Sequence, residues 1–198
     1  LVAIVAEGHE AKALGEEQSG ELVFDRTPFY GESGGQAGDV GLISFSCGSV
    51  FRVDDTKKRG GDTHAHVGVM ERGEVTLGDD AEMSVTVELR DASRSHHSAT
   101  HLAHAALRDV LGPQVAQKGS YVGPDRLRFD FSNNKPMTVE QIAAVEAQVN
   151  AVIRQNVAVS TRSMTPDAAI EAGALALFGE KYGDEVRVLT MGQSLKQA

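Results

Sequence analysis

A single cysteine, Cys47, excludes an internal disulfide framework and fits a reducing compartment. Tryptophan is absent and aromatic residues make up 5% of the chain, so Phe178 and Tyr182 are expected in a core or rim rather than on a base-stacking platform. No apolar run reaches the roughly 18 residues of a membrane span, and no basic-plus-apolar leader precedes the chain. These absences predict a soluble, cytoplasmic protein with no membrane partner. The first residue is Leu1 rather than methionine, so the sequence is expected to be a piece of something longer. Basic residues are also few: 19 Lys and Arg face 28 Asp and Glu, a net charge of −9. Such a balance argues against a general polyanion surface, because neutralising phosphates drives most nucleic-acid affinity. The deficit is uneven. Residues 1–90 hold 8 basic against 17 acidic groups, whereas residues 91–198 hold 11 of each.

The 198 residues are enough for one large domain or two small ones. From Leu1 to about Arg90, short β-type runs (1–6, 21–24, 40–45, 50–53, 65–70 and 83–89) alternate with glycine and aspartate turns. Ala81–Leu89 alternates apolar with polar residues, as a strand with one wet face does. The pattern predicts a small β-barrel, whose closure would remove the exposed edges of such short strands. After Arg90 the period changes. A helix capped by Asp91 or Ser93 runs to Gly112-Pro113, strands follow at 115–122 and 126–132, and Thr138-Val139-Glu140-Gln141 reads as a capping box for a second helix. That helix repeats Ile142, Val145, Val149, Val152 and Ile153 at helical spacing, which predicts a face packed on a sheet. A strand at 157–164, a short helix opened by Thr165-Pro166 and ended by Gly173, and a strand at 185–191 complete the pattern. The fold class expected is α+β: a β-barrel domain over 1–90 with a glycine-rich loop, then an α+β domain over 91–198.

The chemistry concentrates in Ser95–Leu107, where His96, His97, His101 and His104 crowd one helical segment. At about 100° per residue His97, His101 and His104 fall on one side, and His96 points away. Two histidines at i and i+4 are how a helix offers two nitrogens to zinc. Ser98-Ala99-Thr100 holds no glutamate, so a metalloprotease lacks its general base. Packed or surface histidines are the plain alternative. His64 and His66 alternate on a candidate strand and are taken as surface residues of a turn region.

The run from His97 through Leu111-Gly112, Gln117-Lys118-Gly119-Ser120 and Arg126–Ser132 resembles the editing region of the alanyl-tRNA synthetase family. So do Thr27-Pro28-Phe29-Tyr30-Gly31-Glu32-Ser33-Gly34-Gly35-Gln36-Ala37-Gly38-Asp39 and Ala176–Asp184, which stand in the family's order. The resemblance implies hydrolysis of serine or glycine wrongly esterified to alanine tRNA, with the tRNA 3′ end and the rest of the synthetase as partners. Tethering to that larger enzyme would tolerate weak phosphate contacts. It implies zinc on His97 and His101, with a further cysteine and histidine of a CxxxH motif that this sequence lacks. ATP belongs to an activating region outside these residues. Thr100 and Gln117 are implied as catalytic pocket residues that could bond the serine hydroxyl, a recognition that spares alanine. Gly34, Gly35 and Gln36 are candidates for substrate binding, through a backbone that can approach closely. His104 is read as a core histidine in preference to a third ligand. Lys118, Arg126, Arg128 and Lys181 could meet phosphates or simply be solvated. Two rival readings are a free-standing trans-editing relative and a non-catalytic tRNA-contact module with a decayed metal site.

Overall fold

The structure is a computed structural model, described here for residues 1–174 and 183–192. The segment matching Ala176–Asp184, with Phe178, Lys181 and Tyr182, lies almost wholly outside the described residues. The chain divides into two compact units. The first joins Leu1–Ser98 to Gly119–Arg128, and the second joins Ala99–Lys118 to the described residues from Phe129 on.

The first unit is built on a seven-stranded antiparallel sheet of β1 (Ala3–Ala6), β2 (His9–Ala11), β4 (Ser19–Val23), β5 (Gly41–Phe45), β6 (Val50–Arg59), β7 (Thr63–Arg72) and β9 (Ala81–Val85). Its order is β2-β1-β4-β7-β6-β5-β9. A separate pair joins β3 (Ala13–Leu14) to β8 (Val75–Thr76). The expected barrel is not closed, because β2 and β9 are the two edges of that order and are not neighbours. Closure needs matched strands around the whole circuit, and a three-residue edge offers too few ladder bonds for it.

Alternation places one sheet face on the core. Along β5, Gly41, Ile43 and Phe45 are buried while Leu42 and Ser44 are exposed. Ile4, Leu14, Leu22, Phe51, Val53 and Met70 join Ile43 and Phe45 in that core. The central hairpin is longer than the apolar pattern indicates. β6 and β7 each run ten residues, because Lys57, Lys58 and Arg59 pair with Ala65, His64 and Thr63 although their polarity reads as loop.

Helix α1 (Val87–Leu111) follows β9 after one residue and starts before the Asp91 or Ser93 expected to cap it. Val87–Leu89, read from the sequence as the end of a strand, form its first turn. Gly112, at φ 117, ends it, its amide bonding the Arg108 carbonyl. Strands β10 (Gln117–Val122) and β11 (Leu127–Phe131) then pair with each other.

In the second unit α2 (Val139–Gln155) opens on the expected capping box, with Thr138 and Gln141 bonded reciprocally. Its apolar face is only partly covered, and none of its residues is fully buried. Ile142 and Ile153 stay 44% and 52% exposed, so the packing expected from its periodicity is incomplete. Strands β12 (Ser160–Met164) and β13 (Val186–Thr190) pair antiparallel, and α3 (Pro166–Glu171) carries Thr165 as its cap and proline in its first turn.

Candidate functional site

The glycine-rich segment is fixed by its own backbone. Ser33 and Gln36 exchange amide-to-carbonyl bonds of 3.2 and 3.0 Å around Gly34 at φ 59 and Gly35 at φ 85. Two consecutive left-handed residues suit the tight turn that connects paired strands, which is why glycine stands at both. The two differ in surroundings. Gly34 faces open space, whereas a side chain at Gly35 would meet the Ser120 carbonyl at 2.5 Å. Gly35 is therefore the point where the turn closes on β10. The Val122 amide donates to the Gly35 carbonyl at 2.8 Å and the Ala37 amide to the Val122 carbonyl at 2.9 Å. On the other side the Glu32 amide bonds the Thr56 carbonyl of β6 at 2.7 Å.

Charge secures the flanks. Buried Asp39 accepts from the Tyr30 amide and from the Arg90 guanidinium, which also donates to the Pro28 carbonyl at 2.7 Å. The carboxylate beside Arg90 raises the affinity of that guanidinium for its proton. The start of α1 is thus held to both ends of the segment 28–39.

Below it lies a polar device that sequence reading misplaced. His66, expected on the surface, is fully buried on β7 between Phe24 and Phe29, whose rings meet it edge-on at 5.6 and 5.1 Å. Its Nδ1 donates to the Leu22 carbonyl at 2.8 Å, so Nε2 accepts from the Thr27 hydroxyl at 2.7 Å. Thr27 in turn accepts from the Phe29 amide at 3.0 Å. Burial lowers the His66 pKa, which favours the neutral ring. Residues two apart on a strand share a face, so the available signal was that His66 stands four residues before apolar Met70, which is fully buried on the same side of β7. His64 is half-buried and bonds the Asp62 carbonyl.

Two of the candidate residues are brought together. Gln36 does not reach into an open pocket: its side-chain oxygen lies 2.7 Å from His97 Nδ1, across 61 residues of sequence. The neighbouring His96 donates from Nδ1 to the Gly123 carbonyl at 2.7 Å. Beside this region the first unit holds a cleft of about 300 Å³ whose lining includes Gly35, Asp39, Arg90, Ser93 and Tyr121 but neither Gln36 nor His97. Arg126 lies 5.4 Å over the Tyr121 ring and pairs with Asp125. Lys118 and Arg128 are both exposed.

The remaining candidates belong to the second unit. Thr100 is buried on α1, His101 is exposed one residue on, and Gln117 is half-buried at the start of β10. His104 is 8% exposed, as its reading as a core histidine requires, and its ring lies 5.1 Å from Phe129. Burial, and Arg108 nearby, lower its pKa against the effect of a bond with the Val115 backbone. Among the described residues its Nε2 has no hydrogen-bond partner, so a buried ring nitrogen is left unsatisfied there.

His97 and His101 stand one turn apart on α1, and imidazole nitrogens suit zinc. A catalytic zinc needs about three protein ligands, however, and among the described residues no group of three or more His, Cys, Asp or Glu could hold a metal. The donor chemistry fits and the donor number stops at two.

Residues 1–89 match the family model described as tRNA synthetases class II (A). The chain is also similar to a segment of alanine--tRNA ligases. It is 57% identical over 192 residues to that of Parvibaculum lavamentivorans, covering 97% of this chain and 22% of the relative. It is 60% identical over 174 residues to that of Hyphomonas neptunium (88% and 20%), and 53% identical over 197 residues to that of Paramagnetospirillum magneticum (97% and 22%). The chain therefore spans about a fifth of the length of these curated relatives.

Proposed function

We propose that the chain is the editing segment of an alanine--tRNA ligase, hydrolysing serine or glycine wrongly esterified to the 3′ end of alanine tRNA. The observation that carries this reading is the 2.7 Å bond between Gln36 and His97, which joins the glycine-rich segment to the histidine helix. Two segments that separately resemble the family's editing region meet at a titratable ring. Identities of 53–60% to alanine--tRNA ligases support the parent assignment.

In this reaction the oxygen of water adds to the ester carbonyl carbon, the bond to the ribose oxygen breaks, and that oxygen leaves with a proton. Zinc held by His97 and His101, together with ligands from elsewhere in a synthetase, would polarise the carbonyl or the water. The chain's own residues position and select. Thr100 and Gln117 would bond the serine hydroxyl, and a site built for that bond rejects alanine because its polar groups would lose their partner. The turn at Gly34-Gly35 holds Gln36 against the helix. Partners under this reading are alanine tRNA and the remainder of the synthetase, in the cytoplasm. ATP would bind in the activating region rather than here. Among the described residues no helix is long and apolar enough to cross a membrane.

The shortage of metal ligands favours one other reading, a tRNA-contact module without catalysis. The two separate on deacylation of serine-charged alanine tRNA, measured with this chain and with the same sequence in a full-length synthetase. Editing predicts hydrolysis by the full-length enzyme, lost in His97→Ala and His101→Ala. It also predicts a changed serine-to-alanine preference in Gln117→Ala or Thr100→Val. Tight tRNA binding with no hydrolysis in the full-length enzyme would establish the contact module instead.

A further inference from the structure

We propose that Gln36 is a positioning residue for His97, fixing from the glycine-rich turn which nitrogen of that ring carries the proton. An amide oxygen can only accept, so Gln36 Oε1 at 2.7 Å from Nδ1 requires the ring to donate. A neutral imidazole has one N–H. With the proton on Nδ1, the lone pair is on Nε2.

The geometry makes this a rigid instruction. Gln36 is the closing residue of a turn bonded to itself through Ser33, to β6 through Glu32, and to β10 through Gly35 and Ala37. Its backbone therefore cannot drift without breaking bonds on three sides. The helix is held as firmly, since His96 bonds the Gly123 carbonyl and Arg90 bonds Asp39 and Pro28. Two successive histidines thus each donate from Nδ1 to an oxygen on a different segment. The inference deepens the editing reading and rests on it, because Nε2 is then the nitrogen His97 offers to a metal or to a proton of the reaction. Partners of this kind orient a ligating ring and set its tautomer.

The decisive experiment is nitrogen-15 NMR of histidine-labelled full chain at a pH where His97 is neutral. Wild type is expected to show His97 protonated on Nδ1. Gln36→Glu, whose carboxylate still accepts, should keep that tautomer, and Gln36→Leu should lose it while the spectra of His66 and His104 stay unchanged, which reports an intact fold. In the full-length synthetase Gln36→Leu should lower hydrolysis of serine-charged tRNA by roughly 10–100-fold, with Gln36→Glu restoring most of it. A wild-type proton on Nε2, or a tautomer indifferent to Gln36→Leu, overturns the inference. A tautomer that follows Gln36 in an enzyme that hydrolyses nothing keeps the inference and removes the editing reading.

Discussion

Burial favours the neutral rings of His66 and His104, and that sets a direction for acid sensitivity. Their folded pKa values lie below the ordinary 6.5, so the unfolded chain takes up protons before the folded one does. The stability they contribute is present in full above pH 6.5 and is lost as pH falls through that value toward the folded pKa. Urea midpoints should accordingly drop between pH 7.5 and 5.5. His66→Gln should lower stability at pH 7.5 and flatten the pH dependence, and an unchanged slope would show that other groups carry it. The two glycines of the turn give a second contrast. Gly34→Ala has room and incurs mainly left-handed backbone strain, about 1 kcal/mol. Gly35→Ala adds an overlap with the Ser120 carbonyl and should cost about 3 kcal/mol. Equal losses in urea unfolding would contradict the close approach of β10. The glycine-rich run was legible as a turn, and His97 with His101 as a helical pair, since both signals are local. That Gln36 meets a histidine 61 residues away was not, because no local periodicity encodes a contact at that separation.

Among the elements, α1 depends on a pairing outside itself. Asp39 is almost fully enclosed while the Arg90 side chain is one-third exposed, so Asp39→Asn should cost about 2 kcal/mol, less than the roughly 3–5 expected of a wholly buried pair. Denaturant unfolding monitored by circular dichroism checks this, and a loss under about 0.5 kcal/mol would reduce the pair to an ordinary surface contact. The same pairing explains why the helix begins earlier than its sequence suggests. Asp91 and Ser93 are good capping residues, yet Arg90 is needed in helical conformation to reach Asp39 and Pro28, and tertiary contact overrides local preference. Capping was readable in α2 and α3, where Thr138 and Thr165 bond the amides three residues on. The open sheet was not readable, since period-two alternation fixes which face is buried without fixing whether the first and last strands meet.

For the molecule as a whole, burial is unequal between the units. The first has a core of ten buried apolar side chains, whereas α2 has no fully buried residue. Hydrogen exchange by mass spectrometry should show β5, β6 and β7 amides protected well beyond those of α2. Equal protection would mean that α2 is covered in solution. A boundary near Arg90–Asp91 followed from the change of period, whereas the contact division falls at Ser98–Ala99 and returns Gly119–Arg128 to the first unit. Composition cannot signal a unit made of two separate stretches. That discontinuity acquires a meaning during translation. The sheet is complete once Val85 has been made, but the turn at Gly34-Gly35 waits for Ser120 and Val122, more than eighty residues after its own synthesis. At about 5–20 residues per second the nascent chain would pass several seconds with its glycine-rich turn unclasped. Nascent chains halted with Ser98 outside the ribosome should resist protease across β5–β7 yet be cut at the turn, and those halted with Arg128 outside should resist at both. A turn already protected in the shorter chains would show that it closes without its late partner.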